Sequence, residues 1–265
     1  MTMNFVFPGS RNDPRIKLLV ALANNPRTRR GQGQTILDGV HLLDCALKAG
    51  MPLLEVCVSE SARVRDEIIA LLARLPAGLV PMCVSDAIFA RISPVDTPAG
   101  ILARITQPPS SIPEAGRASL VVLDSIQDPG NLGTILRTAA AAGIDQAWLT
   151  PGCAQAWAPK TLRAGMGAHF RLRIAEQVDA LANLAAYPGK VVATGLGAEA
   201  RTFFEADLRG PVAWLFGAEG QGVSPVLRAL ADEVLVIPMA EGIESLNVGA
   251  AAAVCLFEQL RQSRS

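Results

Sequence analysis

Histidine is scarce in this sequence, which has two, His41 and His169, among 265 residues. A zinc site built from imidazole ligands, or a Ser-His-Asp triad, is therefore poorly supplied. The five cysteines are scattered and odd in number, and no Cys-x-x-Cys pair occurs. We interpret them as reduced thiols in the core, and we expect no metal site.

Long apolar runs are also lacking, although half of the residues are hydrophobic. No uninterrupted run approaches the ~18–20 apolar residues that a membrane-spanning helix needs. The first residues, Met-Thr-Met-Asn-Phe-Val-Phe-Pro, lack the basic start and the long apolar region of a signal peptide. We therefore expect a cytoplasmic protein.

An excess of either charge is the third absence, because 24 Lys and Arg residues balance 24 Asp and Glu residues. A uniformly basic nucleic-acid binder is thereby disfavoured. The charges are unevenly spread, however, since the segment 11–30 holds six basic residues and a single acid, Asp13. A local patch of this kind is sufficient for contact with phosphates.

Short apolar segments alternate with helical patterns along the chain, which predicts an α/β fold. The stretch 107–117 is rich in Pro and Ser and has no period, so we interpret it as a linker. It separates a smaller α/β domain, 1–106, from a second domain, 118–265. The run Leu120–Leu123 is typical of a buried parallel strand and predicts a mostly parallel sheet there. Within the first domain, Arg27–Gln34 is predicted to be a polar loop.

Two polar loops that contain glycine each follow an apolar strand in the second domain. The strand Val212–Phe216 leads into Gly217–Gly222, and the strand Val234–Ile237 leads into Pro238–Asn247. Because ligands bind at the carboxyl ends of parallel strands, the two loops predict a pocket. The following helix, Val248–Leu260, begins with small residues, which favours close packing against a loop, a ligand or a second subunit.

Two further segments have plausible structural explanations when they are taken alone. Asp128–Gly133 precedes a helix that carries Arg137; Asn131 is a natural N-cap, and an Arg at such a position is usually solvated or ion-paired. Gly195–Ala200 follows a strand and imitates a dinucleotide-binding fingerprint, which would indicate a nicotinamide enzyme. The segment lies late in the sequence, and only two more strands can follow it, so a Gly-rich turn is the better interpretation.

Three motifs, in this order, resemble the SpoU (TrmH) branch of the SPOUT RNA methyltransferases. They are Leu123–Ala139, Phe216–Gly222, and Ile237–Met239 together with Ser245–Val248. The resemblance is close over 120–262, whereas 11–106 resembles the family's substrate-binding domain more loosely. It implies methylation of an RNA ribose 2′-hydroxyl by S-adenosylmethionine. It also implies a deep trefoil knot in the C-terminal domain, which residue spacing does not reveal.

The resemblance also assigns roles to particular residues. Five are expected to be catalytic or to position the substrate: Asn131, Arg137, Glu219, Ser245 and Asn247. Because a guanidinium stays protonated at neutral pH, Arg137 is expected to orient the ribose and to stabilise the developing alkoxide. The methyl donor is expected to be held, largely by backbone groups, near five others: Thr194, Gly195, Gly217, Ile237 and Leu246. The basic patch is expected to bind RNA through Arg27, Arg29 and Arg30.

The resemblance leaves the substrate and the assembly open. Ribosomal RNA is the first expectation, transfer RNA the second, and a non-catalytic RNA-binding protein is the alternative from another class. Family members pair through the last helix and complete each active site with residues of the partner, so we expect a homodimer. Gly249 and Ala253 share one face of that helix and predict a close contact, which Phe257 and Leu260 would extend.

Overall fold

The computed structural model describes residues 4–8, 10–95, 97–110, 118–196 and 200–264. The chain forms two compact units. The N-terminal unit comprises Met1–Pro109 and Trp157–Phe170, and the C-terminal unit comprises Ser110–Ala156 and Arg171–Ser265. The segment Trp157–Phe170, which the sequence analysis assigned to the second domain, thus packs with the first. Most of the expected linker lies outside the described residues.

The N-terminal unit is a four-stranded mixed sheet, in the order β1-β4-β2-β3, with helices on both faces. Its strands are β1 Gln34–Asp38, β2 Leu53–Ser59, β3 Met82–Val84 and β4 Ile101–Thr106, and its helices up to β4 are α1 Pro14–Asn24, α2 Pro26–Gln32, α3 Val40–Lys48, α4 Asp66–Leu72 and α5 Asp86–Ile92. Side chains alternate along a strand. Cys57 accordingly packs in one apolar cluster with residues of α1 and α5, while Val56 and Val58 pack in another with residues of α3 and α4.

The predicted loop Arg27–Gln34 is wrong, because most of it forms α2. Asn25 ends α1 and also begins α2, since its side-chain oxygen accepts hydrogen bonds from the backbone of Arg27 (2.8 Å) and Thr28 (3.3 Å). Pro26 occupies the first helical position, where its missing N–H costs nothing. Gly33, with φ of 59°, closes the helix in the left-handed conformation. The segment Asn24-Asn25-Pro26 therefore ends one helix and begins the next.

The C-terminal unit is built on a seven-stranded sheet, in the order β7-β6-β5-β10-β8-β11-β9. In chain order its elements are β5 Leu120–Asp124, α6 Pro129–Ala141, β6 Gln146–Leu149, β7 Arg173–Ala175, α8 Ala180–Leu184, β8 Lys190–Thr194, β9 Arg201–Thr202, β10 Val212–Gly217, α9 Pro225–Arg228, β11 Glu233–Val236 and α10 Val248–Ser263; α7, Pro159–Gly165, belongs to the N-terminal unit. All six pairings described in this sheet are parallel, which confirms the predicted fold class. The knot stays a prediction from the resemblance.

Four neighbouring strands, β5, β10, β8 and β11, bring their carboxyl ends to one edge of this sheet. Six of the ten residues expected to be catalytic or to bind the donor lie in the loops after β8, β10 and β11, and the other four lie in α6 or at the ends of β8 and β10. β5 is buried along its whole length, as its uninterrupted apolar sequence predicts. The sheet order therefore makes neighbours of segments that are far apart in the sequence.

Helices α6 and α10 pack against each other within the chain. A side chain on Gly249 would place its Cβ 3.1 Å from Thr134 Cγ2 on α6. The small residue at the start of α10 therefore serves an internal helix contact, and the expectation that Gly249 and Ala253 form the surface of a dimer is wrong for Gly249, which is buried. The outward face of α10 carries Val254 and Phe257 instead.

Candidate active site

A cavity of about 140 Å³ opens at the carboxyl edge of the parallel sheet. It lies among the loops that follow β8, β10 and β11 and the first turn of α10. Six of the residues expected in the site line it: Thr194, Gly195, Glu219, Ile237, Ser245 and Leu246. Its charged side chains among the described residues are the carboxylates of Glu219 and Glu244, without a basic group. The cavity thus favours a ligand with a positive charge.

Gly217 shapes the loop rather than the cavity wall. A Cβ at this position would lie 1.9 Å from the carbonyl carbon of Gly222, because the loop folds back on itself. The turn is closed by a hydrogen bond from the Gly222 amide to the Ala218 carbonyl (2.8 Å). A larger residue at 217 would therefore displace the loop that presents Glu219.

Three of the expected catalytic side chains form a continuous hydrogen-bonded chain. The Asn247 amide donates to Asn131 Oδ1 (3.0 Å), and the Asn131 amide donates to Glu219 Oε1. Asn247 Oδ1 is itself occupied, because it accepts hydrogen bonds from the backbone of Gly249 (2.9 Å) and Ala250 (3.3 Å) and so caps α10. The first turn of α10 therefore fixes Asn247, which orients Asn131 and through it the carboxylate of Glu219.

Asn131 is not the N-cap of α6, in contrast to the sequence interpretation. Asp128 is the cap, with Oδ1 accepting a hydrogen bond from the Asn131 backbone amide (2.8 Å), and Pro129 is the first helical residue. Because Asp128 meets the capping requirement, the side chain of Asn131 is available for Glu219 and Asn247.

Arg137 stands apart from this chain. It lies on α6, its side chain is exposed, and it forms no hydrogen bond or ion pair with any residue that the structure describes. An exposed guanidinium without a partner in its own chain is free to bind an external anion.

Arg228 is a residue of the site that the sequence analysis missed. Its Nη2 donates to the carbonyl of Leu196 (2.7 Å), and a Cβ on Gly195 would come 2.6 Å from its Nη1. The guanidinium thus presses against the loop after β8, from outside the cavity that this loop lines. No sequence signal could have shown it, because α9 lies beyond β10 and the contact depends on the sheet order.

Asp124, at the end of β5, is a second such residue. It is buried, accepts a hydrogen bond from the Ser224 backbone amide (2.8 Å) and another from the Thr150 hydroxyl (3.2 Å). Ser224 follows the loop that bears Glu219 and immediately precedes α9. Asp124 therefore anchors the far end of that loop to the sheet.

The three arginines expected to bind RNA differ in their surroundings. Arg27 and Arg30 are exposed on α2. Arg29 is only 5% exposed, and its Nη1 donates to the carbonyls of Leu22 (2.8 Å) and Ala23 (3.2 Å) in the last turn of α1. The geometry therefore gives Arg29 a structural role as a cap of the α1 carboxyl end, which leaves Arg27 and Arg30 as the candidates for phosphate contact.

The fold and the site define an α/β protein that binds its ligand at the carboxyl edge of a parallel sheet, beside the ordered carboxylate of Glu219. The family model described as SpoU rRNA Methylase family matches residues 118–257, and the model described as MRM3-like substrate binding domain matches residues 13–103. The chain belongs to the SpoU rRNA methylase family, which confirms the resemblance.

Individual relatives match along most of their length. The chain is 36% identical over 259 residues to an uncharacterized tRNA/rRNA methyltransferase of Synechocystis, covering 96% of this chain and 93% of the relative. It is 31% identical to the 23S rRNA (guanosine(2553)-2′-O)-methyltransferase RlmP of Bacillus subtilis, with 84% and 86% covered. Among solved structures, an AdoMet-bound rRNA methyltransferase from Sinorhizobium meliloti is 29% identical, covers 97% of this chain and 98% of its own, and has a TM-score of 0.82.

Proposed function

We propose that this protein methylates a ribose 2′-hydroxyl of ribosomal RNA, with S-adenosylmethionine as the methyl donor. The observation that carries the proposal is the chain from Asn247 through Asn131 to Glu219, at the edge of a cavity in a member of the SpoU family. The relatives named for ribosomal RNA support that substrate, with transfer RNA as the second candidate.

The residues around the cavity fit the methyl donor. Its sulfonium carries a positive charge, which suits the two carboxylates among the described lining residues. Thr194, Gly195, Ile237 and Leu246 line the cavity, where backbone groups would bind the polar edge of an adenine and its ribose. The apolar side chains of Leu235 and Val248 complete the wall. When bound, the donor supplies an electrophilic methyl group.

The residues of this chain would prepare the hydroxyl for transfer. Arg137 would bind the RNA and stabilise the negative charge that develops on the 2′-oxygen as its proton leaves. Glu219, held by Asn131, is suited to orient groups at the cavity by accepting hydrogen bonds. Ser245 lines the same cavity, and its exposed hydroxyl can donate to the substrate or to the donor.

Arg137→Ala is expected to abolish methyl transfer while the fold and donor binding persist. Because the side chain of Arg137 is exposed and forms no hydrogen bond or ion pair with the described residues, the free energy of unfolding should change by no more than about 0.5 kcal/mol. The assay is incorporation of labelled methyl groups into ribosomal RNA, followed by mapping of the modified ribose, with donor affinity measured by calorimetry. A variant that keeps most of its turnover would refute the role of Arg137, and a wild-type protein that methylates no RNA would refute the function.

A homodimer belongs to the same proposal. The outward face of α10 exposes Val254 and Phe257, which are 37% and 48% exposed, and Arg137 lies on the neighbouring α6. An apolar face of this kind is suited to a two-fold contact in which the same patch meets itself. The proposal also places the protein in the cytoplasm; in the described part of the chain, no helix has the length and apolarity to cross a membrane.

A further inference from the structure

A second cavity lies within the N-terminal unit, at the carboxyl end of β1. Its volume is about 200 Å³. Its walls are formed by the start of α3, the segment before β4, and α7. Apolar side chains, including Val40, Leu42 and Val95, provide most of this surface. The cavity has room for a flat group as large as an adenine.

His41, Thr97 and Arg163 also line this cavity, and Asp38 supplies the acidic group among its described lining residues. Asp38 Oδ2 accepts a hydrogen bond from the Ser93 hydroxyl, and that hydroxyl accepts one from the Val95 amide (3.4 Å), which directs its proton toward Asp38. Within the described residues, Oδ1 accepts no hydrogen bond. Burial raises the pKa of Asp38, and the charge of Arg163 opposes this shift. The carboxylate is thus held in place with one acceptor open.

Three further lining residues of this cavity are Arg163, His41 and Met166. Arg163, on α7, is exposed, and its guanidinium forms no hydrogen bond or ion pair with the described residues. His41 Nε2 lies 3.2 Å from the carbonyl of Met166 and ties α3 to the end of α7. Met166 adopts a left-handed φ of 47°, and its side chain is 40% exposed. A flexible thioether at an opening is suited to contact with the face of a planar ligand.

We propose that this cavity receives an unstacked base of the RNA substrate and that Asp38 accepts a hydrogen bond from an amino group of that base. Single-stranded bases that are splayed out are the usual targets of sequence-specific RNA recognition. An RNA occupant is favoured over a peptide because the matching family model over 13–103 is described as a substrate binding domain. Arg163 would offset the repulsion between Asp38 and the phosphates. The inference rests on the proposed function for the identity of the substrate.

The chemistry of Asp38 predicts which bases are admitted. Cytosine presents an amino donor where uracil presents a carbonyl oxygen, and a carboxylate attracts the first and repels the second. Wild-type protein should therefore bind a fluorescent oligocytidylate more tightly than the matching oligouridylate, by roughly fivefold or more. Asp38→Asn should remove this preference, because an amide can donate to the uracil oxygen as well as accept.

The experiment is fluorescence anisotropy on the full chain with these two probes. The matched control is Asp66→Asn, which removes an equally negative but exposed charge from the same unit and should leave the preference intact. Arg163→Gln should weaken the binding of both probes to the same extent and reduce the salt dependence of that binding. Ala99→Leu narrows the cavity without changing Asp38, so it tests the cavity if Asp38→Asn fails to fold.

The inference would be overturned if both Asp38→Asn and Ala99→Leu kept the preference for oligocytidylate over oligouridylate. It would also be overturned if the Asp66→Asn control lost this preference to the same extent, or if the wild-type protein bound neither probe. Methylation of ribosomal RNA is measured separately. If the preference depends on Asp38 but no RNA is methylated, the proposed function falls and the base cavity stands. If RNA is methylated but the preference between the two probes does not depend on Asp38, only the proposed base cavity is refuted.

Discussion

At the scale of single residues, Asn247 combines two tasks that are usually separate. Its carbonyl oxygen caps α10, and its amide group orients Asn131. Asn is a natural capping residue, and the family resemblance also assigns Asn247 a role in the active site. The structure shows that they are compatible, because the oxygen and the nitrogen of one amide point to different partners.

The two tasks of Asn247 can be separated by substitution. Asp caps helices as well as Asn does, so Asn247→Asp should keep the free energy of unfolding within about 0.5 kcal/mol. It cannot donate to Asn131, so turnover should fall, on the scale of roughly a hundredfold for a mispositioned group. Asn247→Ala also removes the helix cap, so its free energy of unfolding should fall by about 1 kcal/mol. Thermal melts and single-turnover rates distinguish the outcomes; full activity in Asn247→Asp would show that the contact with Asn131 is dispensable.

At the scale of elements, the loop after β8, which we propose binds the methyl donor, is contacted by α9, a helix that contributes none of the described lining residues of the cavity. Arg228 of α9 bonds to Leu196, and its guanidinium would have to move to admit a side chain at Gly195. Gly195 was predicted as a donor-binding residue from the resemblance, and the structure adds a physical reason for glycine at this point. That reason is a long-range contact, which local sequence patterns do not encode.

Arg228→Met is expected to weaken binding of the methyl donor about fivefold to tenfold, the equivalent of losing one hydrogen bond from a charged group, about 1–1.5 kcal/mol. The rate at saturating donor should stay close to that of the wild type, because Arg228 touches neither the cavity nor the catalytic chain. Gly195→Ala should also weaken donor binding, by forcing Arg228 away. In the Arg228→Met background, Gly195→Ala should reduce the affinity for the methyl donor by less than it does in the wild-type protein. Additive effects in this cycle, measured by calorimetry, would contradict the proposed contact.

The junction of α1 and α2 gives a second test at this scale. Arg29→Ala should destabilise the protein by about 2 kcal/mol, since it removes a buried charged donor from two carbonyl groups. Arg30→Ala should leave stability within about 0.5 kcal/mol and lower the slope of log RNA affinity against log salt by roughly 0.7–0.9 if it loses one phosphate contact. Arg27→Ala is the matched exposed variant. Equal melting temperatures for the Arg29 and Arg30 variants would contradict this assignment.

At the scale of the whole molecule, the fold class was predictable from the sequence, and six of the residues expected in the active site line one cavity, although their roles stay predictions. The long parallel strands and the three motifs carry strong local signals. The strands β7 and β9 were not predicted, because three and two residues are too short to show a pattern. Arg228 and Asp124 were missed because their partners become neighbours only through the sheet order. The base cavity was missed because α7 packs with the N-terminal unit, which the motif boundaries do not indicate.

The proposed dimer is tested by charges placed on the outward face of α10. Val254→Glu with Phe257→Glu should give a particle of single-chain mass in light scattering, because a two-fold contact would bury four like charges together. Val226→Glu, on a more exposed apolar residue of α9, is the control and should leave the mass unchanged. A wild-type protein that already has the mass of one chain, at full activity, would rule out the dimer.

The N-terminal unit is assembled from two stretches of chain that are separated by β5, α6 and β6. A buried hydrogen bond from Thr35 to the carbonyl of Trp157 (2.7 Å) joins them. On the ribosome, this unit therefore cannot reach its final form when its own sheet has emerged; it must wait until Phe170 is synthesised. A truncation after Pro109 should accordingly yield a chain with an uncovered apolar surface, prone to aggregation rather than to independent folding. Nascent protein would thus pass through an interval in which a chaperone has a surface to hold.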